Sequence, residues 1–208
     1  MNNKVFSIEG NIGSGKSTIL QKLKELYSQE FVFLPEPVDI WNTIKDTTDG
    51  KTILQKYYAD QERYAFSFQM MAYITRLSQL REAMKKHTNS IIITERCLHT
   101  DREIFAKMLY NSGKIEPINY LIYNRWFDEF NELPLDGLIY IETIPEICLT
   151  RICKRNRPGE ESIPLEYLVD CHNQHSSWIK STNIPVLKLE NNGDIDLIPQ
   201  ILNFVKYR

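Results

Sequence analysis

The sequence predicts an α/β three-layer sandwich: a five-stranded parallel sheet flanked by helices. Two observations carry that expectation. Five short runs rich in β-branched and aromatic residues alternate along the 208 residues with longer stretches of helical spacing. The first run leads straight into Gly10–Ser17, G-N-I-G-S-G-K-S, which then opens a helical pattern. That is the G-x-x-x-x-G-K-[ST] spacing of a P-loop, in the strand–loop–helix setting that gives the motif its meaning.

The first strand, Lys4–Glu9, is short and apolar, as a buried parallel strand should be. Gly10, Gly13 and Gly15 let the backbone turn tightly, so that successive N–H groups point at one phosphate chain. The N-terminus of the following helix adds its positive dipole end. Gly10, Asn11, Ile12, Gly13, Ser14, Gly15, Lys16, Ser17 and Thr18 are therefore the candidate cradle of a nucleoside triphosphate. Lys16 is placed to reach the β/γ-phosphates and the Ser17 hydroxyl to bind Mg²⁺. Thr18–Ser28 reads as an amphipathic helix with Ile19, Leu20, Leu23 and Leu26 facing inward.

Phe31–Leu34 is the second strand, stopped by Pro35-Glu36-Pro37. Ligands of open α/β sheets bind at the carboxyl ends of the strands, which makes Glu36 a site candidate as well as a surface acid. Asp39–Asp49 reads as a short helix and a polar loop. From Tyr57 to Lys86 runs one long helical pattern without Gly or Pro. At about 3.6 residues per turn, Tyr58, Glu62, Ala65, Gln69, Ala72 and Arg76 share a narrow stripe. Polar groups interleaved with alanines leave room for a ligand. A solvated face is the competing reading, and Glu62 suits it. Phe66, Met70, Tyr73, Leu77 and Leu80 form an apolar stripe elsewhere on the helix.

Ser90–Thr94 is the third strand and runs into Glu95-Arg96, an acid and a base again at a carboxyl end. Glu95 is a candidate support for Mg²⁺ and Arg96 for charge on a transferred phosphoryl group, with a surface ion pair as the alternative. Asp101 and Phe105 fall one helical turn apart on the next helix. Ile118–Phe130, with Tyr120, Tyr123, Trp126, Phe127 and Phe130, reads as core or dimer contact. Leu138–Glu142 is the fourth strand and Pro145–Arg155 a helix. Arg151, Arg155 and Arg157 run into Pro158-Gly159-Glu160-Glu161. Basic residues there complement the helix dipole, and they also suit an Arg-rich lid, at about 151–162, closing on phosphates. Leu165–Ile179 is a helix, Val186–Leu189 the fifth strand and Asp194–Val205 a terminal helix.

Composition narrows the classes. A net charge of −2 lacks the basic footprint of a nucleic-acid binder. Cys97, Cys148, Cys153 and Cys171 form no C-x-x-C pair and no zinc spacing, which reads as buried thiols in a reducing, cytoplasmic compartment. No apolar stretch approaches the ~18 residues of a membrane span. Too few residues precede Gly10 for a signal or transit peptide. There is no internal repeat or low-complexity linker, so residues 1–208 read as one domain.

Five segments resemble the deoxynucleoside kinases, the family of deoxycytidine, deoxyguanosine and mitochondrial thymidine kinases and the insect multisubstrate enzyme. They are E-G-N-I-G-S-G-K-S-T (9–18), P-E-P-V-x-x-W (35–41), Q-E-R-Y-A-F-S-F-Q (61–69), E-R-C-L-H-T-D-R (95–102) and I-P-L-E-Y-L (163–168), in family order across essentially the whole chain. The resemblance implies ATP as donor, a deoxynucleoside 5′-hydroxyl as acceptor and Mg²⁺ at Ser17 and Glu95. It implies Glu36 as general base, with Lys16 and Arg96 on the transferring phosphoryl. Gln69 would hydrogen-bond the base edge while Trp41, Phe68 and Phe105 pack around it. Tyr58 and Glu160 (or Glu161) would bind the sugar 3′-hydroxyl, and Arg151, Arg155 and Arg157 would form the lid over ATP. Family members are often dimers.

Arg76 and Asp101 resemble the pair in the deoxycytidine and deoxyguanosine kinases, where a charged pair would crowd a 5-methyl group. Deoxycytidine and purine deoxynucleosides are therefore expected over thymidine. L-Y-N-S-G-K (109–114) is closer to thymidine-using relatives, which keeps a thymidine-accepting or broad-specificity enzyme as the alternative. Cys97 stands where the family often has serine, and Pro158 stiffens the lid. A nucleoside monophosphate kinase shares the P-loop and lid but needs no general base. A nucleotide switch would carry N-K-x-D or D-x-x-G, and neither occurs.

Overall fold

The computed structural model describes residues 3–160, 163–193 and 195–208. Its centre is a five-stranded sheet in the order β2-β3-β1-β4-β5. The strands are β1 (Lys4–Glu9), β2 (Phe31–Leu34), β3 (Ile91–Glu95), β4 (Gly137–Glu142) and β5 (Val186–Glu190). All four pairings are parallel, with Val5 opposite Ile92, Phe6 opposite Gly137, Val32 opposite Ile92 and Leu138 opposite Val186. Both faces of the sheet are covered, which is why the inner strands are apolar without alternation. On one face Phe6, Ile8, Ile93, Ile139 and Ile141 pack against Leu23 of α1 (Lys16–Tyr27) and Ile201 of α10 (Ile198–Lys206). On the other, Val5 and Ile92 meet Leu80 and Ala83 of α4 (Gln61–Lys86), while Leu138 meets Trp178 of α9 (Leu165–Ser181).

Because every strand points the same way, all five carboxyl ends open on one edge. Before it lie α2 (Val38–Thr43) and α3 (Ile53–Ala59). After β3 come α5 (Leu98–Thr100), a π-helical turn (Asp101–Ala106), α6 (Lys107–Asn111) and α7 (Pro117–Phe130), and after β4 comes α8 (Pro145–Arg155).

Local chemistry corrects several sequence expectations. The single helix expected over Tyr57–Lys86 is two, because Asp60 leaves helical geometry (φ −150, ψ 85) and its side chain caps α4 by accepting from Arg63 N at 3.2 Å. Tyr58 therefore belongs to α3, not to the stripe on α4. Leu26, expected inward, is 66% exposed, because the last turn of α1 packs through Tyr27 instead. Asp101 and Phe105 lie on a π-helical turn rather than a regular α-helix. The terminal helix starts at Ile198, where Asp196 Oδ1 accepts from the Ile198 N–H. Glu161 and Asp194, both named from the sequence, lie outside the described residues.

Candidate active site

The carboxyl edge of the sheet holds a cleft of about 960 Å³. One end is the P-loop. Gly13 (φ +79) runs against α8 so closely that a Cβ would stand 2.5 Å from the Cys148 carbonyl. Gly15 (φ +96) is the N-cap of α1, and a Cβ there would meet the Asn191 amide at 2.7 Å. Lys16 is 4% exposed, with Nζ donating to the Asn11 carbonyl at 2.7 Å. Burial, with help from Arg96, lowers its pKa to about 8. Ser17 Oγ donates to Glu95 Oε1 at 2.6 Å, joining the start of α1 to the end of β3. Arg151 donates to the carbonyls of Ser14 (3.4 Å) and Asn191 (3.1 Å).

The middle of the cleft is an ionic network around Glu36. Its Oε1 receives both Arg76 Nη2 at 3.2 Å and Arg96 Nε at 3.3 Å. Burial pushes this carboxyl up, but Arg96 and Arg76 together outweigh it and hold it below the ordinary carboxylate range. Arg76 also donates from Nε to Asp101 Oδ2 at 3.0 Å and from Nη1 to the Glu95 carbonyl at 2.7 Å. One guanidinium thus ties the end of β2, the end of β3 and the π-helical turn together. Burial lifts Asp101 to about 6 despite that partner. Arg96 has a left-handed backbone (φ 65), costly for a residue with a Cβ, and is held there by its N–H on the Ile8 carbonyl at 3.0 Å. Its guanidinium lies 4.7 Å from the centre of the Phe105 ring. A carboxylate fixed by two guanidiniums beside a P-loop suits proton abstraction next to a transferring phosphoryl group.

The far end is apolar with a few polar groups. Phe68 stacks on Tyr57 (4.5 Å) and meets Trp41 edge-on (5.2 Å). Gln69 is 2% exposed, and its Oε1 has no hydrogen-bond partner among the described residues. The hydroxyls of Tyr57 and Tyr167 are 3.2 Å apart. Burial, reinforced by Tyr57 and Glu160, keeps the Tyr58 hydroxyl protonated far above its ordinary range. Glu160, 4% exposed, accepts from Arg155 Nη2 (2.5 Å) and Arg157 Nη1 (3.2 Å).

Of the residues named from the sequence, Ile12, Gly13, Gly15, Lys16, Ser17 and Thr18 line the cleft. So do Glu36, Trp41, Tyr58, Phe68, Gln69, Arg76, Glu95, Arg96, Asp101, Phe105, Arg151, Arg155, Arg157 and Glu160. Gly10, Asn11 and Ser14 are outside this lining. Glu62 faces solvent and pairs with Lys114 at 3.0 Å. The 109–114 stretch does not line the cleft either. Sequence reasoning missed Tyr57, Tyr167 and the segment after β5, where Asn191, Ile195, Asp196 and Leu197 line the P-loop end. The signal for that segment was available: it follows the carboxyl end of a parallel strand, as Glu36 and Glu95 do.

Comparison with known proteins follows the same lines. The family model described as deoxynucleoside kinase matches residues 6–204. The chain is 37% identical to the deoxycytidine kinase of Homo sapiens, over 92% of this chain and 85% of that protein. It is 34% identical to the mitochondrial deoxyguanosine kinase of Xenopus laevis, over 93% of this chain and 83% of that one. A probable deoxycytidine kinase of fowlpox virus is 35% identical over 92% and 80%.

Proposed function

The chain belongs to the deoxynucleoside kinase family, and from that premise we propose how its own residues carry out the transfer and which bases they favour. It is an ATP-dependent kinase of deoxynucleosides. The reaction is in-line transfer of the γ-phosphoryl to the sugar 5′-hydroxyl, in which positioning and charge stabilisation do most of the work. The observation that carries the assignment of roles is the Glu36 carboxylate, held on one oxygen by Arg76 and Arg96 beside the P-loop. Glu36 takes the proton of the 5′-hydroxyl through its other oxygen. Arg96 stabilises charge on the transferring group, and Lys16 leaves the Asn11 carbonyl for the β/γ-phosphates.

The Ser17 hydroxyl and Glu95 carboxylate, 2.6 Å apart, are hard oxygen donors of the kind Mg²⁺ accepts beside substrate phosphates. They would hold the ion, which supplies charge neutralisation on the triphosphate. Arg151, Arg155 and Arg157 act as the lid at about 151–162, and Tyr58 with Glu160 receives the sugar 3′-hydroxyl.

Gln69 reads the base edge between Phe68, Trp41 and Phe105. The Arg76–Asp101 pair closes the site against a 5-methyl group, favouring deoxycytidine and purine deoxynucleosides over thymidine. The similarity to a deoxycytidine kinase and a deoxyguanosine kinase supports that preference. The 208 residues act as one kinase domain and assemble as a homodimer. The apolar stripe of α7, with Ile118 and Leu121 60% and 65% exposed, supports that assembly. Among the described residues no helix is long and apolar enough to cross a membrane. Cys97, Cys148 and Cys171 are buried as expected while Cys153 is exposed, and all four are free thiols, which supports work in a reducing cytoplasm.

The test is ATP- and Mg²⁺-dependent phosphorylation of the four deoxynucleosides, their ribo forms and their 5′-monophosphates. Turnover of deoxycytidine and deoxyadenosine with thymidine weak is expected. Strong thymidine turnover discards the role given to Arg76 and Asp101. Turnover of monophosphates alone discards the role given to Glu36.

A further inference from the structure

Asn11 belongs to the P-loop, yet its carboxamide is turned away from the cleft. The residue is 3% exposed, and Nδ2 donates to the Leu168 carbonyl, 157 residues along the chain and 2.8 Å away. Its Oδ1 accepts from the Ile12 N–H at 2.8 Å, and its main-chain carbonyl accepts from Lys16 Nζ at 2.7 Å. A single buried side chain is therefore bonded to its own loop and to α9, while its backbone holds the lysine that meets the donor phosphates. The spacing G-x-x-x-x-G-K asks for no carboxamide at this position, and phosphate cradling uses backbone N–H groups.

The neighbouring side chain strengthens the joint. Ile12 packs in a cluster with Cys148 and Ile152 of α8, Ile163, and Leu168 of α9, together with Tyr58 and Tyr167. Those two tyrosines line the acceptor end of the cleft, and the Tyr167 hydroxyl rests on Tyr57, whose ring stacks on Phe68. The path from Lys16 to the base pocket is thus a short run of direct contacts: Lys16, Asn11, Leu168 with Tyr167, then Tyr57 and Phe68. Each link is a hydrogen bond, a covalent neighbour or a ring contact.

We propose that Asn11 is a positioning residue that makes donor binding and acceptor binding interdependent. Donor phosphates draw Lys16 off the Asn11 carbonyl and order the loop. The Asn11–Leu168 bond passes that order to the first turns of α9 and hence to Tyr167 and Tyr58. A ligand arriving at the already ordered half spends less on ordering it, so each substrate tightens the other, and by the same factor. The proposal rests on the assignment of donor to the P-loop end and acceptor to the Gln69 end.

The experiment is calorimetric titration of deoxycytidine into the full chain, with and without saturating β,γ-methylene-ATP and Mg²⁺. The wild-type protein should bind deoxycytidine at least about fivefold more tightly with the analogue present. Asn11→Ala should bring that ratio below about twofold. Asn11→Asp should do the same, since a carboxylate cannot donate to the Leu168 carbonyl. A purely structural role would weaken both ligands and leave the ratio intact, and that result overturns the proposal. So does a wild-type ratio of one. If the Asn11 variants do not fold, Tyr167→Phe keeps the Asn11–Leu168 bond and removes the hydroxyl's contacts with Tyr57 and the Cys171 thiol. It should lower the ratio, and an unchanged ratio there also refutes the joint. Failure of the wild-type protein to bind deoxycytidine in either condition removes the acceptor assignment itself, a separate result from lost coupling.

Discussion

Replacing the Arg76–Asp101 pair tests base selection and the ionic network together. Arg76 and Asp101 are 6% and 3% exposed at the side chain, so neither charge can turn to water when its partner goes. Arg76→Met strands the Asp101 carboxylate and also removes a partner from Glu36 and from the Glu95 carbonyl. Breaking a buried pair in this way costs about 3–5 kcal/mol. Asp101→Ala is milder, roughly 2 kcal/mol, because the guanidinium keeps its other two acceptors. The double variant loses both charges and fills the space with Met, so it should be no less stable than Arg76→Met alone. That is a coupling of about 2 kcal/mol, readable in urea titrations followed by tryptophan fluorescence. Arg76 lowers the Asp101 pKa, which burial nonetheless holds at about 6. In Arg76→Met the stranded carboxyl therefore takes up its proton at higher pH, and the cost of the substitution should shrink as the pH falls toward 6 and level off below it. The same double variant should raise the thymidine-to-deoxycytidine ratio of kcat/KM by about 100-fold or more. Additive stabilities would refute the buried network. A selectivity ratio that does not move would refute the steric account of base choice.

Glu36→Gln keeps the shape of the base but not its proton affinity, so kcat should fall about 10²–10⁴-fold with a much smaller change in KM. A near-wild-type rate would shift suspicion to Glu95. The Lys16 ammonium, lowered to about 8 in the free protein, loses its proton as the pH rises through that value. Since kcat/KM reports the free enzyme, kcat/KM for ATP should decline above about pH 8 while kcat, read in the ATP-bound state, holds. A flat kcat/KM profile to pH 9.5 would contradict the placement of Lys16. Gly137→Ala would put a Cβ 2.8 Å from the Phe204 ring and 2.9 Å from Phe6, overpacking the sheet where β4 meets α10. It should cost about 1–3 kcal/mol in denaturant titrations while leaving KM values unchanged.

Most of the sheet was legible because each strand is a short apolar run next to a chemical landmark. The P-loop follows β1, Pro35-Glu36-Pro37 follows β2 and Glu95-Arg96 closes the third strand run. What periodicity could not show was a break without a breaker. Asp60 splits the expected helix by turning its side chain into a cap, with no glycine or proline at the break. The stripe of Tyr58, Gln69 and Arg76 was inferred from one continuous helix. Its residues nevertheless meet in the cleft, because α3 folds back beside α4 instead of preceding it in line. The partners of Arg76 were beyond reach for the same reason. Glu36, the Glu95 carbonyl and Asp101 come from three separate elements, and only the parallel sheet brings them to one guanidinium.

That convergence bears on how base choice and chemistry are connected. Arg76 joins Asp101 to Glu36, so the pair proposed to select the base touches the carboxylate proposed to take the proton. Among the described residues two guanidiniums hold the Glu36 carboxylate, and one of them is shared with Asp101. A base that disturbs the Asp101–Arg76 contact therefore disturbs the group that must lie within hydrogen-bond reach of the 5′-hydroxyl. With the roles proposed above, binding energy from the remote base would be used for orientation at the reacting atoms, where it raises kcat and not affinity alone. The same connection limits redesign. Removing Arg76 to admit thymidine also loosens Glu36, so widened acceptance comes with slower transfer unless Arg96 alone can hold the carboxylate. The 3.3 Å contact of Arg96 with the same oxygen, on a backbone already fixed to β1, is what makes partial retention of activity the physical expectation.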